Sequence, residues 1–456
     1  MVNVIIGLEI HVQLKTKSKI FCSCPTNYRD VEPNENLCPT CAAQPGSKPF
    51  GLNKTALDNL LKIALALNCR IRDSSIMQRK HYLYPDNPSG YQRTSKPIGA
   101  EGNLGTIRIR EVHIEEDPGR YELREGTVDY NRAGIPLIEI VTEPDMRSPE
   151  DAREFLDELS AILGYLDVAR DEPGSMRADA NVSIDGGTRV EVKNINSFSG
   201  VVAALAYEII RQQNVVRRGG KVIMETRHFE EASNSTTTLR KKETEEDYRY
   251  LPDPDVPPIS VNRAHVAELG RKMPELPRAK AARLSKDFGI RPEDAWILVA
   301  EVEIANLFER MAKRAIPQKI ALWIRGPLKK QLNYRELTLK RSGLKEEWLS
   351  ELFGMFEAGE VSDKGMEQTL IALFEKKKSP KTIATEMDLL MTKDTKEIGR
   401  IIDTVVEGNP KSIADYKAGN EKALNFVVGN AIKLLKGRAD SKLVRELVLK
   451  KIKEKK

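Results

Sequence analysis

No apolar run in this 456-residue sequence approaches the roughly 18–20 residues that cross a bilayer, so no membrane-spanning helix and no membrane partner are expected. The amino end, "MVNVIIGLEIHV", has no charged n-region and no small-residue cleavage site, and it enters a strand-like pattern at once. The expected compartment is the cytoplasm. Phosphate-binding loops are missing as well: there is neither a G-x-x-x-x-G-K-[ST] stretch nor a strand-linked G-x-G-x-x-G. Any ATP would therefore lie on an open sheet face and not at a helix amino terminus. Histidine is scarce, at five residues, and cysteine is nearly absent outside one segment. Four of the five cysteines fall in "FCSCPTNYRDVEPNENLCPTC", and Cys69 stands alone at the end of an apolar helical run, where it reads as an ordinary buried thiol.

The four clustered cysteines have the spacing C-x-C, thirteen residues, C-x-x-C, at Cys22, Cys24, Cys38 and Cys41. Two close pairs across a loop suit one Zn²⁺, which takes four soft ligands converging from two turns. Disulfides do not fit a reducing cytosol. A redox C-x-x-C would need a βαβ setting and would leave the other pair unexplained. Four thiolates close the coordination shell, so the ion is expected to be structural and not a reaction centre. No Cys–His constellation then remains to serve as a glutaminase nucleophile.

With 40% hydrophobic and 31% charged residues the composition is that of a globular chain, and its length implies two or three domains. The net charge of +6 is unevenly placed: Lys411–Lys456 holds 13 Lys+Arg against 5 Asp+Glu, a local +8. A basic terminal module on a balanced body points to a polyanionic partner, nucleic acid first. A solvated helical face would also account for the charge alone.

Up to about residue 260 strands and helices mix. "GTIRIREVHIEE", "RADANVSI" and "TRVEVK" alternate with period two, and "NKTALDNLLKIALAL", "SPEDAREFLDELSAILGYL" and "SGVVAALAYEIIRQQNVV" carry helical periodicity. The proline-rich "YLPDPDVPPISV" reads as a rigid connection closing this part. Beyond Arg263 the pattern is helical almost throughout, interrupted at "EGNPKSIADYKAGNE" (407–421). The strands share a device. Glu9, His11 and Gln13 alternate with Leu8, Ile10 and Val12, and residues two apart on one face lie roughly 6–7 Å apart. Arg177, Asp179 and Asn181 repeat the pattern, and Glu191 and Lys193 do so again. Glu115, Glu116 and Asp117 sit at a strand end, where alternation leaves open which carboxylate points inward. Oxygen ligands with an occasional imidazole suit Mg²⁺ bridging phosphates, and the interleaved Arg177, Asp179 and Lys193 are candidates to share an anionic nucleotide.

The blocks "VIIGLEIHVQLKTKSKIF", "HYLYPDNPSGYQ", "HIEEDPG", "NRAGIPLIEIVTEPD", "RADANVSI", "EVKNINSF" and "DYRYLPDPDVPP" resemble the B-subunit family of tRNA-dependent amidotransferases, GatB. "NPKSIADYKAGNEKALNFVVGNAIKLLKGRAD" resembles that family's YqeY-like domain. The resemblance implies an α+β fold: a glutamine synthetase/guanidino kinase-like catalytic domain with a largely antiparallel sheet (1–292), an all-α domain (293–406) and a YqeY-like helical tail (407–456). It implies an ATP- and Mg²⁺-dependent carbon–nitrogen ligase that phosphorylates the side-chain carboxylate of mischarged Asp-tRNA(Asn) or Glu-tRNA(Gln). The A subunit would supply ammonia from glutamine, with a C subunit completing a heterotrimer. Carried over residue by residue, the family's Mg²⁺ and catalytic positions fall on Glu9, His11, Glu116 and Glu191. The zinc knuckle falls on the four cysteines, and the tRNA-contacting tail on Lys433, Lys436 and Arg438.

Two other readings are open. The E subunit of the two-component archaeal enzyme is related, but members of that branch carry an inserted domain and run well beyond this length. A non-catalytic zinc-containing RNA-binding protein would use the knuckle and tail and leave the Glu9/His11/Glu191 face unexplained.

Overall fold

The structure, a computed structural model, describes residues 2–195, 197–241, 248–392, 394–435 and 438–454. It divides into two compact units, Met1–Lys280 and Ala281–Lys456. Among the described residues no helix is long and apolar enough to cross a membrane.

The first unit is built on a twelve-stranded sheet. Its middle runs in the order Glu225–Glu230, Val190–Ile195, Met176–Ile184, Val4–Gln13, Pro136–Thr142, Ile107–Glu116, Tyr91–Ser95, Met77–His81. These neighbours are antiparallel except Val190–Ile195 and Glu225–Glu230, which run parallel and are joined through the helix Phe198–Arg217. One face of the sheet is apolar. Ile6, Leu8, Ile10 and Val12 are buried together with Ile138, Ile140, Val112, Ile114, Ala180 and Val182. The helices Lys54–Ala66, Pro149–Leu166 and Phe198–Arg217 cover that face with residues such as Leu60, Ile63, Leu156, Leu159 and Leu205. Each starts at a side-chain cap, from Asn53, Ser148 and Ser197 respectively, and Ser148 with Asp151 forms a reciprocal capping box. The α+β reading with a largely antiparallel sheet therefore holds.

The proline-rich segment is more than a connection. Leu251–Pro252 pairs with Met77–His81, Ile259–Ser260 pairs with Ser74–Ser75, and Val256, Ile259 and Val261 join the core. The first unit also keeps the helix Arg263–Arg271 and the start of Pro277–Phe288, whose Arg278 forms a bidentate pair with buried Glu158 at 2.9 and 2.6 Å. The division thus falls after Lys280 rather than at 292.

The second unit is helical. At its end Ile398, Ile402, Val405 and Val406 of the helix Thr395–Gly408 pack with Leu424, Val427, Val444 and Val448. The expected break at 407–421 contains the helix Pro410–Lys417, with Pro410 at its first position, where a missing N–H costs nothing. The helix Thr395–Gly408 shares a core with the tail, so a boundary at 407 would cut through that core.

Candidate active site and cysteine cluster

The other face of the sheet is polar. Cross-strand register places Glu9 opposite Asp179, His11 opposite both Arg177 and Glu139, and Glu139 opposite His113. At one end of this face Asn181 Nδ2 donates to Glu9 Oε1 at 2.9 Å. Lys193 Nζ lies 2.8 Å from Asp179 Oδ2 and 3.5 Å from Glu191 Oε1, and the Thr226 hydroxyl donates to Glu191 at 2.8 Å. Burial pushes the Lys193 ammonium down, but Asp179 and Glu191 outweigh it and hold the group charged well above its ordinary range. In the middle, His113 Nε2 lies 2.9 Å from Glu139 and 3.4 Å from Glu115, and His11 Nε2 lies 3.8 Å from Glu139. Burial would push the His113 imidazole down. Glu139 and Glu115 instead raise it to about 10, so it is an imidazolium at neutral pH. Burial likewise raises the Glu139 carboxyl, but His113 overrides it and holds the group well below the carboxylate range. Lys80 is raised against its own burial by the same two acids.

Ligand atoms of His11, Glu115 and Glu139 lie within 4.8 Å of one another. Mg²⁺ at about 2.0–2.1 Å from octahedral oxygens would draw ligand atoms to about 3–4 Å apart, so the set fits a cation after a small closure. The Nδ1 of His113 is buried with no hydrogen-bond partner. Its positive ring fills the charge role that a cation could take over.

The sequence expectation placed Glu116 in this group, and the structure separates it. Glu115 pairs across the sheet with Leu137 and Glu116 with Pro136, so strict alternation puts the two carboxylates on opposite faces. Glu115 meets Gln92 at 3.1 Å on the polar side. Glu116 meets Arg93 at 3.4 Å, and Arg93 in turn holds Asp253 at 2.7 Å. Burial raises the Glu116 carboxyl, against the pull of Arg93. Glu9, His11 and Glu191 do share one face, joined there by Glu115, Glu139 and His113. Sequence reasoning passed over Glu139, a lone acid in the apolar strand "PLIEIVT", and His113, two residues before Glu115. Arg177 and Lys193, expected to meet a nucleotide, are committed to Asp117 at 3.0 Å and to Asp179.

The cysteines converge as expected. The Sγ atoms of Cys22, Cys24, Cys38 and Cys41 lie within 4.8 Å of one another, with Cys38–Cys41 at 3.8 Å and Cys24–Cys41 at 3.9 Å. A tetrahedron of sulfurs about 2.3 Å from Zn²⁺ has edges of about 3.8 Å, so the donors fit that ion. Lys19 is 1% exposed, and its Nζ sits 3.5 Å from Cys41 Sγ, held by the carbonyls of Asn36 and Tyr130 at 3.0 and 3.2 Å. The Cys41 thiol is lowered to about 4, first by its hydrogen bond with Cys22 and further by the charge of Lys19. Cys69 is buried and unpaired with another cysteine, its thiol pushed up to about 12 by burial.

In the second unit Lys433 is exposed on the helix Glu421–Leu434, while Lys436 lies outside the described residues. Arg438 is largely buried and held by Asp388 at 2.9 Å and Glu397 at 2.7 Å, which makes it a fastener of this unit and leaves little for a phosphate.

Residues 4–267 match the GatB/GatE catalytic domain, and residues 306–452 match the GatB domain. The chain is 48% identical over 447 residues to the B-subunit of the aspartyl/glutamyl-tRNA(Asn/Gln) amidotransferase of Methanothermobacter thermautotrophicus, covering 98% of this chain and 99% of that protein. The B-subunits of the same name from Methanobrevibacter smithii (47% over 435 residues, 95% and 96% covered) and Methanocaldococcus jannaschii (46% over 459, 98% and 97%) are similar to it over nearly the same span. With matches of this extent and order on a sheet whose polar face gathers the family's acids, the chain belongs to the GatB family.

Proposed function

We propose that this chain is the kinase and transamidase subunit of a glutamine-dependent aminoacyl-tRNA amidotransferase acting on mischarged Asp-tRNA(Asn), Glu-tRNA(Gln) or both. The observation that carries this reading is the gathering of Glu9, Asp179, Glu191, Glu115 and Glu139 with two imidazoles on one sheet face, in a chain whose relatives bear that name. A carboxylate does not react usefully with ammonia, because oxide would have to leave. In the proposed reaction a side-chain carboxylate oxygen of the aminoacyl group attacks the γ-phosphorus of ATP, and ADP departs. Ammonia then adds to the acyl carbon of the acyl phosphate, and inorganic phosphate leaves as the amide forms.

Glu9, His11, Glu191, Glu115 and Glu139 would hold Mg²⁺, which when bound supplies charge to the phosphate oxygens. Lys193 and Lys80 keep the carboxylate array from repelling an incoming polyanion. The cysteine cluster would hold a structural Zn²⁺. Ammonia comes from an A subunit, since four of the five cysteines converge on the metal cluster and the fifth is a buried thiol. A C subunit completes the heterotrimer, in the cytoplasm, and the basic tail with Lys433 and Lys436 meets the tRNA phosphates.

The test is reconstitution with each mischarged tRNA, ATP, and either glutamine or ammonium as donor. We expect ADP release that depends on aminoacyl-tRNA, followed by Asn-tRNA or Gln-tRNA. RNA binding without such turnover would instead favour a non-catalytic RNA-binding role.

A further inference from the structure

We propose that the cavity beside Glu9 receives the phosphate chain of the nucleotide, held by the guanidinium groups of Arg110 and Arg189. This rests on the kinase reading above and names the contacts on the side facing the acids. The cavity holds about 180 Å³, with Glu9 and Asn181 at one side and Arg110 and Arg189 among its other walls. Small-molecule sites usually run to about 300–1,000 Å³, so it is too small for a whole nucleotide and suits its phosphate end. The nucleoside would then project outward.

Each arginine is placed for this. Arg110, on the strand Ile107–Glu116, is gripped by Glu143 through Nε at 3.1 Å and Nη2 at 3.0 Å. That bidentate clamp fixes the plane of the guanidinium and leaves Nη1 for a ligand. Arg189 closes the turn between Met176–Ile184 and Val190–Ile195, where Gly186 at φ +70° permits the tight reversal. It is exposed, and among the described residues no carboxylate pairs with it. Gly7 forms part of the wall. A Cβ there would meet only Pro144, at 3.6 Å or more, so packing does not require the glycine, and its bareness leaves space at the centre of the cavity.

The alternative cations are already engaged. Lys193 is spent on Asp179 and Glu191, and Arg177 on Asp117. Arg110 and Arg189 are the ones that present donors to an open volume, opposite the carboxylates that would hold the counter-cation. Arginine suits this role because its planar fork matches phosphate oxygens.

The experiment measures equilibrium binding of Mg·ATP, Mg·AMP and inorganic phosphate to the assembled enzyme containing the full-length chain, as wild type, Arg110→Ala and Arg189→Ala. Glu143 is 31% exposed at its side chain, so removal of Arg110 leaves it to water, and Arg189→Ala touches no internal pair. We expect each variant to lose on the order of tenfold or more in ATP affinity, the worth of a charge-assisted hydrogen bond, with AMP binding little changed. ATP affinity within twofold of wild type in the Arg189→Ala enzyme would overturn the proposal while leaving the kinase reading intact. Competition by inorganic phosphate as strong as by ATP would overturn the nucleotide assignment. Absence of ATP binding by the wild-type enzyme would overturn the kinase reading itself, and this proposal with it.

Discussion

Replacing Glu139 by glutamine removes the charge that His113 and His11 share. In the native chain the His113 imidazole is raised from 6.5 to about 10 by Glu139 at 2.9 Å and Glu115 at 3.4 Å, against the effect of its burial. The folded value lies above that of the unfolded chain. Its contribution to stability is therefore complete below about pH 6.5 and is lost as the pH rises through 10. At about 1.4 kcal/mol per unit the whole interval corresponds to at most about 5 kcal/mol. Breaking a buried ion pair on one side costs about 3–5 kcal/mol, so Glu139→Gln should destabilise the first unit by about 3 kcal/mol at pH 7. Wild type should also lose up to about 1.4 kcal/mol per pH unit between pH 7 and 10, and the variant much less.

The assay has to watch the sheet. Trp296, Trp323 and Trp348, the three tryptophans of the chain, all lie in the second unit, so their fluorescence would follow the wrong half. Hydrogen exchange of the Val4–Gln13 and Pro136–Thr142 peptides, read by mass spectrometry in chelator-treated buffer, reports the right one. Equal pH slopes in wild type and variant would show that His113 does not carry the proton assigned to it.

Three further outcomes follow from the same geometry. Elemental analysis should find one zinc per chain, and Cys24→Ser or Cys38→Ser should lower the zinc content and the stability of the first unit more than the turnover of molecules that still fold; normal thiol titration of a metal-free native protein would refute this. Glu9→Gln, Glu191→Gln and Glu115→Gln should each abolish amidation, while Glu116→Gln, on the opposite face, should act chiefly on stability through Arg93 and Asp253; an inactive but fully stable Glu116→Gln enzyme would return that carboxylate to the site. A chain ending at Glu407 should expose the stripe Ile398, Ile402 and Val405 and aggregate, whereas one ending at Met391 should keep its sheet, zinc and ATP site and lose tRNA affinity together with the salt dependence of binding; unchanged affinity and salt slope in the latter would remove the tail from RNA binding.

What the sequence made legible was local. Period-two alternation in "IIGLEIHVQL" and "RADANVSI" put Glu9, His11 and Asp179 on one face, and the cysteine spacing gave a four-sulfur cluster, because both signals sit within a few residues. Register is not local. The assignment of Glu115 to the polar face depends on Leu137 lying across from it, and a strand end gives no hint of that pairing. Asp253 belongs to a proline-rich run with no periodicity, and it becomes a buried partner of Arg79 and Arg93 only because Leu251 pairs with Arg79 from far along the chain. Asn409-Pro410 looked like a boundary, since proline interrupts helices, but at a first helical position it starts one. The Ile398–Val405 stripe, which needs the tail helices to cover it, was the better guide.

The strand Val4–Gln13 lies mid-sheet between two neighbours, Pro136–Thr142 and Met176–Ile184, that are made long after it. At about 5–20 residues per second, ribosomal synthesis separates Glu9 from Asp179 by on the order of ten seconds or more. Throughout that interval an alternating strand with two unpaired edges is present in the cell, the kind of segment that pairs with other chains when left open. The residues that gather the acids of the polar face are thus the first to be translated and among the last to be enclosed. Yield of this protein should be governed less by its final stability than by translation rate and by chaperones that shield nascent strands.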